Sequence, residues 1–141
     1  MGAAFVILLL LAGLGWSQGR SGPCCKCGGQ ISSDRSNSAI CLSAREMRDH
    51  VDHMERLQPS GLGKNLNLAG TVVVEIRFGS DGKVACSRFR SGHPIAIAAA
   101  AKAVPKWTFK PLFSNGVAKA ACGRITIKYH LRDQDSSTEL Q

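Results

Sequence analysis

The chain has 141 residues, 44% of them hydrophobic, and its formal net charge is +8. This length allows one domain of modest size with a small core. A basic surface suits nucleic acid, anionic lipid or an acidic protein segment. The aromatic side chains follow core patterns, however, and do not alternate with lysine and arginine as a stacking platform requires, so we expect no nucleic-acid partner.

The amino terminus is apolar up to Trp16. As a helix, residues 2–16 would reach only about 22 Å, whereas the hydrocarbon core of a bilayer is about 30 Å thick. Gly15 and Ser17 supply small residues where a signal peptidase cleaves. We therefore expect residues 1–17 to be a signal peptide or short anchor. The mature protein is expected to be periplasmic or secreted, and anchored to the inner membrane only if the signal is not cleaved.

The chain contains six cysteines, four of which lie in a glycine- and serine-rich linker, residues 18–41. In an exported chain this number indicates disulfides, because the compartment outside the cytoplasm is oxidising. The sequence does not fix their connectivity. The spacing of Cys24 and Cys27, taken with Cys41 and with His50 or His53, leaves a zinc site open as an alternative, but this spacing is irregular. We predict structural disulfides and no metal or other cofactor.

A helix is predicted after the linker. Ser43 and Glu46 have the spacing of a capping box, in which each residue satisfies a backbone amide of the other. Apolar residues then recur every three or four positions from Met47, which predicts one apolar stripe on a helix that runs to about Leu57.

Residues 68–131 have the pattern of strand, turn, strand, helix and strand. From Thr71 to Phe78 the side chains alternate between an apolar face and a more polar one. Pro94 suits the first turn of a helix, and Pro105 ends it. The predicted elements are a first strand over residues 71–78, a second over 83–90, a helix over 94–104 and a third strand over 123–131.

The direction of these elements predicts the sheet. The helix returns the chain, so the third strand is antiparallel only to the first. We predict an α+β, two-layer domain in which a three-stranded antiparallel sheet, of order 2-1-3, is covered by one helix, with the upstream helix added. The predicted organisation is a signal or anchor, a linker, a domain and a disordered polar tail, over residues 1–17, 18–41, 42–132 and 133–141.

Cys86 and Cys122 are predicted on the same face of this sheet, the face that the helix does not cover, and this favours a bond between them. The central strand separates their backbones by about 10 Å, whereas a disulfide accepts about 4.4 to 6.8 Å between Cα atoms. A Cys86–Cys122 disulfide is therefore expected only if Cys122 lies in a loop or bulge at the end of the sheet.

Several short motifs occur in a fixed order along this region. They are Gly70-Thr-Val-Val-Val, Asp81-Gly82-Lys83-Val84, Ser91-Gly92-His93-Pro94, Lys106-Trp107-Thr108-Phe109-Lys110-Pro111, Asn115-Gly116 and Ile125-Thr-Ile-Lys-Tyr129. Together they resemble the C-terminal domain of the TonB family, over residues 58–131. The resemblance implies a domain that binds a short receptor segment by strand addition, in proteins that couple an inner-membrane motor of ExbB and ExbD to outer-membrane receptors.

The residues point independently to the same kind of binding. The third strand lies at a sheet edge and presents unpaired backbone groups, as an added strand requires. Its partner is expected to be an outer-membrane receptor segment or another extracytoplasmic protein, and a homodimer through the same edge is an alternative. The predicted partner-binding residues are Arg124, Ile125, Thr126, Ile127, Lys128, Tyr129 and His130.

Other functions receive less support from the sequence. No nucleophile and base, and no carboxylate pair, is framed by a motif, so no enzymatic reaction is predicted. The short apolar segment and the lack of a long proline-rich spacer argue against coupling to an ExbB and ExbD motor. The alternative function is a disulfide-stapled or metal-binding secreted scaffold without a transport role.

Overall fold

The computed structural model describes residues 39–59, 67–132 and 136–141. The predicted signal, and the linker up to residue 38, lie outside this part of the chain. Within it, no helix is long and apolar enough to cross a membrane. The elements are β1 (Ile40–Leu42), α1 (Ala44–Asp49), β2 (Val51–His53), β3 (Asn67–Phe78), β4 (Val84–Ser91), α2 (Pro94–Ala103), a 3-10 turn (Val104–Lys106), β5 (Thr108–Phe109), β6 (Leu112–Ser114), β7 (Val117–Lys119), β8 (Ala121–Arg132) and β9 (Ser136–Leu140).

The main sheet has five strands, and β3 lies between β4 and β8, antiparallel to both. The pairing of β3 with β8 extends from Asn67 opposite Arg132 to Phe78 opposite Ala121. The three strands predicted from the sequence thus lie next to each other in the predicted order. The prediction of only three strands was wrong, because β1 and β9 also pair with β8. Two small sheets, β2 with β5 and β6 with β7, complete the described part.

The tail that the sequence predicted to be disordered forms β9 over part of its length. The tail was predicted to be disordered because most of its residues are polar, Ser136, Ser137 and Glu139 among them. A strand at a sheet edge needs only one side-chain face to be apolar, and here Thr138 and Leu140 are half-buried while Ser137 and Glu139 are exposed. The backbone groups of β8 supply the hydrogen-bond partners that this short segment lacks by itself.

The upstream helix begins as predicted and ends early. Ser43 Oγ accepts a hydrogen bond from Glu46 N, and Ser43 N donates to Glu46 Oε2 at 2.7 Å, which completes the capping box. The helix α1 nevertheless ends at Asp49 and does not continue to Leu57. Val51–His53 pairs with β5, because Val51 is β-branched and because tertiary pairing outweighs a weak helical stripe.

The core lies between the main sheet and α2. Small residues, Ala96, Ala99, Ala100 and Ala103, form the buried face of α2 and let its backbone approach the sheet. Larger side chains fill the margins: Phe78 and Phe109 stack with ring centroids 4.5 Å apart, and Trp107 Nε1 donates to Glu55 O at 3.0 Å. The residues of β3 and β8 in this core are Val72, Val74, Ile76, Phe78, Ala121, Ile125, Ile127, Tyr129 and Leu131.

The helix α2 starts where the sequence predicted. His93 is its N-cap, with Nδ1 accepting from Ile95 N at 3.3 Å, and Pro94 occupies the first turn. A turn at Asn115 and Gly116 connects β6 to β7, with both residues at positive φ (52° and 75°), as a tight hairpin turn requires.

Candidate partner-binding edge of the main sheet

The strand β8 pairs with β3 on its inner side, and other segments of the chain occupy its outer side. The parallel strand β1 pairs with residues 121–123, and the antiparallel strand β9 pairs with residues 127–131. Within the described part, residues 124–126 lie between these two registers, and Thr126 O accepts a hydrogen bond from Gln141 N at 2.9 Å. The edge that the sequence predicted to be unpaired is thus covered along most of its length by the chain itself.

The seven predicted edge residues divide between the two faces of the sheet. Ile125, Ile127 and Tyr129 are buried in the core. The others point to the face away from α2, which we call the open face: Arg124 and Lys128 are exposed, and Thr126 and His130 are half-buried. An added strand would contact all seven through the backbone but would meet only the second group through side chains that project from the open face.

Positive charge dominates the open face of β8. Lys128 lies directly opposite Glu139 of β9. His130 Nε2 is 2.8 Å from Asn67 Oδ1 and 3.1 Å from Arg132 Nε. Opposite charges on directly opposed residues stabilise an antiparallel pair, so this edge favours a strand that carries a carboxylate opposite Lys128.

A buried carboxylate holds two arginines on the same face. Glu75 of β3 is 8% exposed, its Oε1 accepts from Arg124 Nη2 at 3.1 Å, and its Oε2 lies 2.8 Å from Arg90 Nη2. The hydrogen bond from Arg90, followed by that from Arg124, outweighs the cost of burial and lowers the pKa of Glu75. The ion pairs fix the arginines of β4 and β8 above the central strand.

A hollow lies beside the junction of β3, β8 and β9. Its volume is about 330 Å³, and Gly70, Thr71, Lys128 and Glu139 are among the residues that line it. The Tyr129 phenol occupies the position where a side chain of Gly70 would project. The hollow offers room for one side chain of a bound segment.

The opposite edge of the sheet is built differently. Among the described residues, β4 is the outermost strand on that side. Its register with β3 shifts at two places, and Arg88 and Arg90 are exposed. Irregular pairing and charged side chains protect an edge against strand addition, so β8 is the better candidate.

Cys41, Cys86 and Cys122 are each in a disulfide. Cys122 remains in the ladder, opposite Arg77, and Arg77 is also opposite Cys86. The loop or bulge that a Cys86–Cys122 bond requires is absent at Cys122, so the register favours other partners for both residues. Cys24, Cys25 and Cys27 lie outside the described residues.

The residues that the structure describes do not form the zinc site that the sequence left open as an alternative. No group of three metal-ligating side chains occurs there. Cys41 is oxidised in a disulfide and so does not supply a thiolate. Of the two histidines, His50 has Nδ1 3.0 Å from Glu46 O, and His53 has Nε2 3.8 Å from a Glu55 oxygen.

Sequence reasoning missed β9, which contributes Thr138 and Glu139 to the edge. Thr138 Oγ1 accepts from Leu57 N at 3.3 Å, and Leu140 packs against the core. The alternation of Ser137, Thr138, Glu139 and Leu140 between exposed and half-buried positions was the available signal. It covers too few residues to predict a strand without the neighbouring edge.

Residues 63–131 match the family model described as the Gram-negative bacterial TonB protein C-terminal. This match confirms the resemblance predicted from the motifs over residues 58–131. The chain matches none of the curated proteins and none of the solved structures.

Proposed function

Because residues 63–131 of this chain belong to the TonB C-terminal domain family, we propose that the protein is a binding module that takes an extended segment of another protein onto the outer edge of β8. The family is associated with transport, interacts with outer-membrane receptors and implies a location in the periplasm or envelope. The proposed partner is an outer-membrane receptor segment or another extracytoplasmic protein.

The pairing of β8 with β9 is the observation that carries this proposal. Five residues of the tail pair one by one with β8, from Leu140 opposite Ile127 to Ser136 opposite Leu131. The edge therefore accepts an extended, mainly polar segment in a defined register. In the proposed mechanism β9 occupies the binding position in the free protein, and the partner segment displaces it.

The contacts of β9 define the chemistry of the partner. Glu139 faces Lys128, and Thr138 and Leu140 are half-buried beside the core. A competing segment therefore needs a carboxylate at the position of Glu139 and an apolar or β-branched residue on each side of it. Backbone hydrogen bonds supply most of its affinity, and the alternate side chains supply its specificity.

Displacement of β9 is energetically accessible because the strand is short. It has five residues, and of its residues 137–140 none is fully buried. Unfolding of such a terminal segment costs a small part of the global free energy of unfolding. A partner segment that pairs with β8 more favourably than β9 does compensates for this cost and replaces β9.

The experiment compares the exported chain with a form that ends at Arg132. The probe is a fluorescent peptide with the sequence of residues 133–141, and the measurement is its anisotropy. The peptide is expected to bind the shortened form, and to bind the complete chain at least about tenfold more weakly, because the tail competes at high effective concentration. Circular dichroism confirms that the shortened form is folded.

Two charge variants of the shortened form provide the matched control. Lys128→Glu places a negative charge opposite Glu139 of the peptide and is expected to weaken binding. Lys110→Glu makes the same charge change at an exposed position away from β8 and is expected to leave binding unchanged. Equal binding by the complete and shortened forms, or no binding by either, would contradict the proposal.

A second role, a disulfide-stapled scaffold without a transport function, is favoured by the oxidation of Cys41, Cys86 and Cys122. In either role β9 pairs with β8, so the tail peptide is expected to bind the shortened form in both. Only the binding role predicts that an extended segment of another protein, with a carboxylate opposite Lys128, displaces β9 from the complete chain.

A further inference from the structure

The hairpin of β6 and β7 forms a two-stranded sheet that is separate from the main sheet. Its pairs extend from Leu112 opposite Lys119 to Ser114 opposite Val117, and the turn beyond Ser114 is its tip. At the base of the hairpin, Leu112 packs against the core. The two turn residues, by contrast, are exposed. The hairpin therefore projects from the domain by its tip.

Apolar side chains are exposed next to this tip. In the part of the chain that the structure describes, the exposed large hydrophobic side chains are Phe113, at 65%, and Val117, at 56%. Directly opposed residues of a hairpin share a face, and consecutive residues alternate between faces. Val117 is opposite Ser114, the neighbour of Phe113 on β6, so the two large side chains project from opposite faces. The tip is thus apolar on both sides.

A tip that is apolar on both faces limits the kind of partner that suits it. A flat protein surface covers one face of a hairpin and leaves the other face in water. The boundary between the headgroups and the acyl chains of a bilayer surrounds an inserted group on every side, and it accepts apolar side chains to a depth of about 5 to 10 Å. The exposed pair therefore fits a lipid surface better than a flat protein surface.

Two lysines lie at the depth that such an insertion requires. Lys110 precedes β6 and is exposed, and Lys119 is the last residue of β7 and is half-buried. At about 3.3 Å per residue, Lys110 lies at most roughly 10 Å from Phe113, and Lys119 roughly 7 Å from Val117. With the tip at the headgroup boundary, the two flexible side chains reach the level of the lipid phosphates.

The charge of the surrounding sequence favours an anionic surface. Residues 82–132 contain ten lysines and arginines and no aspartate or glutamate. Carboxylates from other segments lie near the base of the hairpin: Asp52 accepts from Thr108 Oγ1 at 3.3 Å, and Asp81 Oδ1 accepts from Lys83 N at 3.1 Å. They reduce the positive charge without reversing it. Each cation near anionic lipid strengthens binding on the order of fivefold, so this segment selects anionic over neutral lipid.

We propose that the hairpin of β6 and β7 docks the domain on an anionic lipid surface, with the Phe113 and Val117 side chains at the headgroup boundary and the two flanking lysines at the phosphates. This docking does not depend on the partner-binding role of β8, and the two are compatible. The hairpin leads into β8 at Ala121, whereas the register that β9 occupies, residues 127–131, begins about 20 Å further along the strand. A docked domain therefore keeps this edge clear of the bilayer.

Co-sedimentation of the exported chain with lipid vesicles tests the proposal. The vesicles contain equal parts of phosphatidylglycerol and phosphatidylcholine, and vesicles of phosphatidylcholine alone are the neutral comparison. Binding to the anionic vesicles is expected to be at least about tenfold stronger. Phe113→Ser is expected to weaken it about fivefold or more, because the side chain no longer leaves water on binding. Equal binding to the two kinds of vesicle, binding to neither, or unchanged binding by Phe113→Ser would overturn the proposal.

Fluorescence at the tip separates the hairpin from every other part of the chain. Phe113→Trp keeps an aromatic residue there, and the emission of the added indole is expected to shift to shorter wavelength with anionic vesicles, since the ring leaves water. Ser91→Trp, at an exposed position at the other end of β4, is the matched control and is expected to show no shift. Equal shifts in the two variants, or none in Phe113→Trp, would contradict docking by the hairpin. A dimer that forms without lipid and is lost in Phe113→Ser would assign the tip to a second copy of the chain instead.

Discussion

The phenol of Tyr129 lies over Gly70. The two residues are directly opposed on β8 and β3, and a Cβ atom on Gly70 would stand 2.9 Å from Tyr129 Oη. Glycine is therefore the residue that lets the ring lie down on the central strand, and the ring in turn covers backbone that glycine leaves bare. Tyr129 is 3% exposed as a result.

The first prediction concerns the ionisation of this tyrosine. Burial raises the pKa of Tyr129 above its ordinary value of 10.0, because the phenolate loses hydration. Tyr129 is the only tyrosine of the chain, so its absorbance near 295 nm reports one group. The pKa of the folded protein is expected to lie above that of the chain in denaturant. Gly70→Val, which displaces the ring, is expected to lower it towards 10.0.

The same shift has a consequence for stability. Since the folded-state pKa is raised, the stabilising contribution is fully present below pH 10 and is lost as the pH rises through the folded-state pKa. Equal pKa values in the native and denatured chain would show that the phenol is hydrated in the native state.

The second prediction concerns Glu75, whose pKa is lowered from 4.5 by its two arginine partners. A lowered folded-state pKa contributes stability that is present above pH 4.5 and is lost as the pH falls through the folded-state value. Glu75→Gln is expected to cost about 1 kcal/mol at pH 7, since the arginines remain partly hydrated. The difference from wild type, measured by urea denaturation, is expected to shrink towards zero near pH 2.

The control for this prediction is Asp49→Asn, which removes an exposed carboxylate at the end of α1. It is expected to change the free energy of unfolding by less than about 0.5 kcal/mol. A cost of Glu75→Gln that stays constant from pH 7 to pH 2 would show that the substitution acts through packing and not through charge.

The third prediction distinguishes the two faces of the sheet. Val74 is fully buried on β3, whereas Thr126 on β8 is half-buried and points to the open face. Val74→Asp buries an unpaired charge and is expected to cost about 4 kcal/mol or more, enough to unfold the domain. Thr126→Asp is expected to cost less than about 1 kcal/mol. Comparable melting temperatures for the two variants would refute the assignment of faces.

The sequence predicted the parts of the fold that depend on local pattern. The alternation from Thr71 to Phe78, the capping box of Ser43 and Glu46 and the helix start at Pro94 are all local patterns, so the sequence alone is enough to locate them. The direction of α2 then restricts the pairing of β3 with its neighbours.

The parts that it missed depend on tertiary partners. Val51 belongs to a strand because β5 lies beside it, and Thr138 belongs to a strand because the edge of β8 is available. The prediction of the candidate site was correct for its local pattern and incomplete where it depends on a tertiary partner. Residues 124–130 lie on one strand, β8, as predicted, but the segment that covers its edge is specified only by the assembled sheet.

Hydrogen exchange at the backbone amides of β8 tests the central claim, which is that its outer edge binds a displaceable strand. The hydrogen bond from Gln141 N to Thr126 O sets the alternation, so that the amides of Lys128 and His130 face β9 while those of Ile127 and Tyr129 face β3. In the form that ends at Arg132, the first pair is expected to exchange faster, and the peptide of residues 133–141 is expected to restore its protection without changing the second pair. Unchanged exchange at Lys128 and His130 on removal of the tail, or no recovery with the peptide, would contradict the claim.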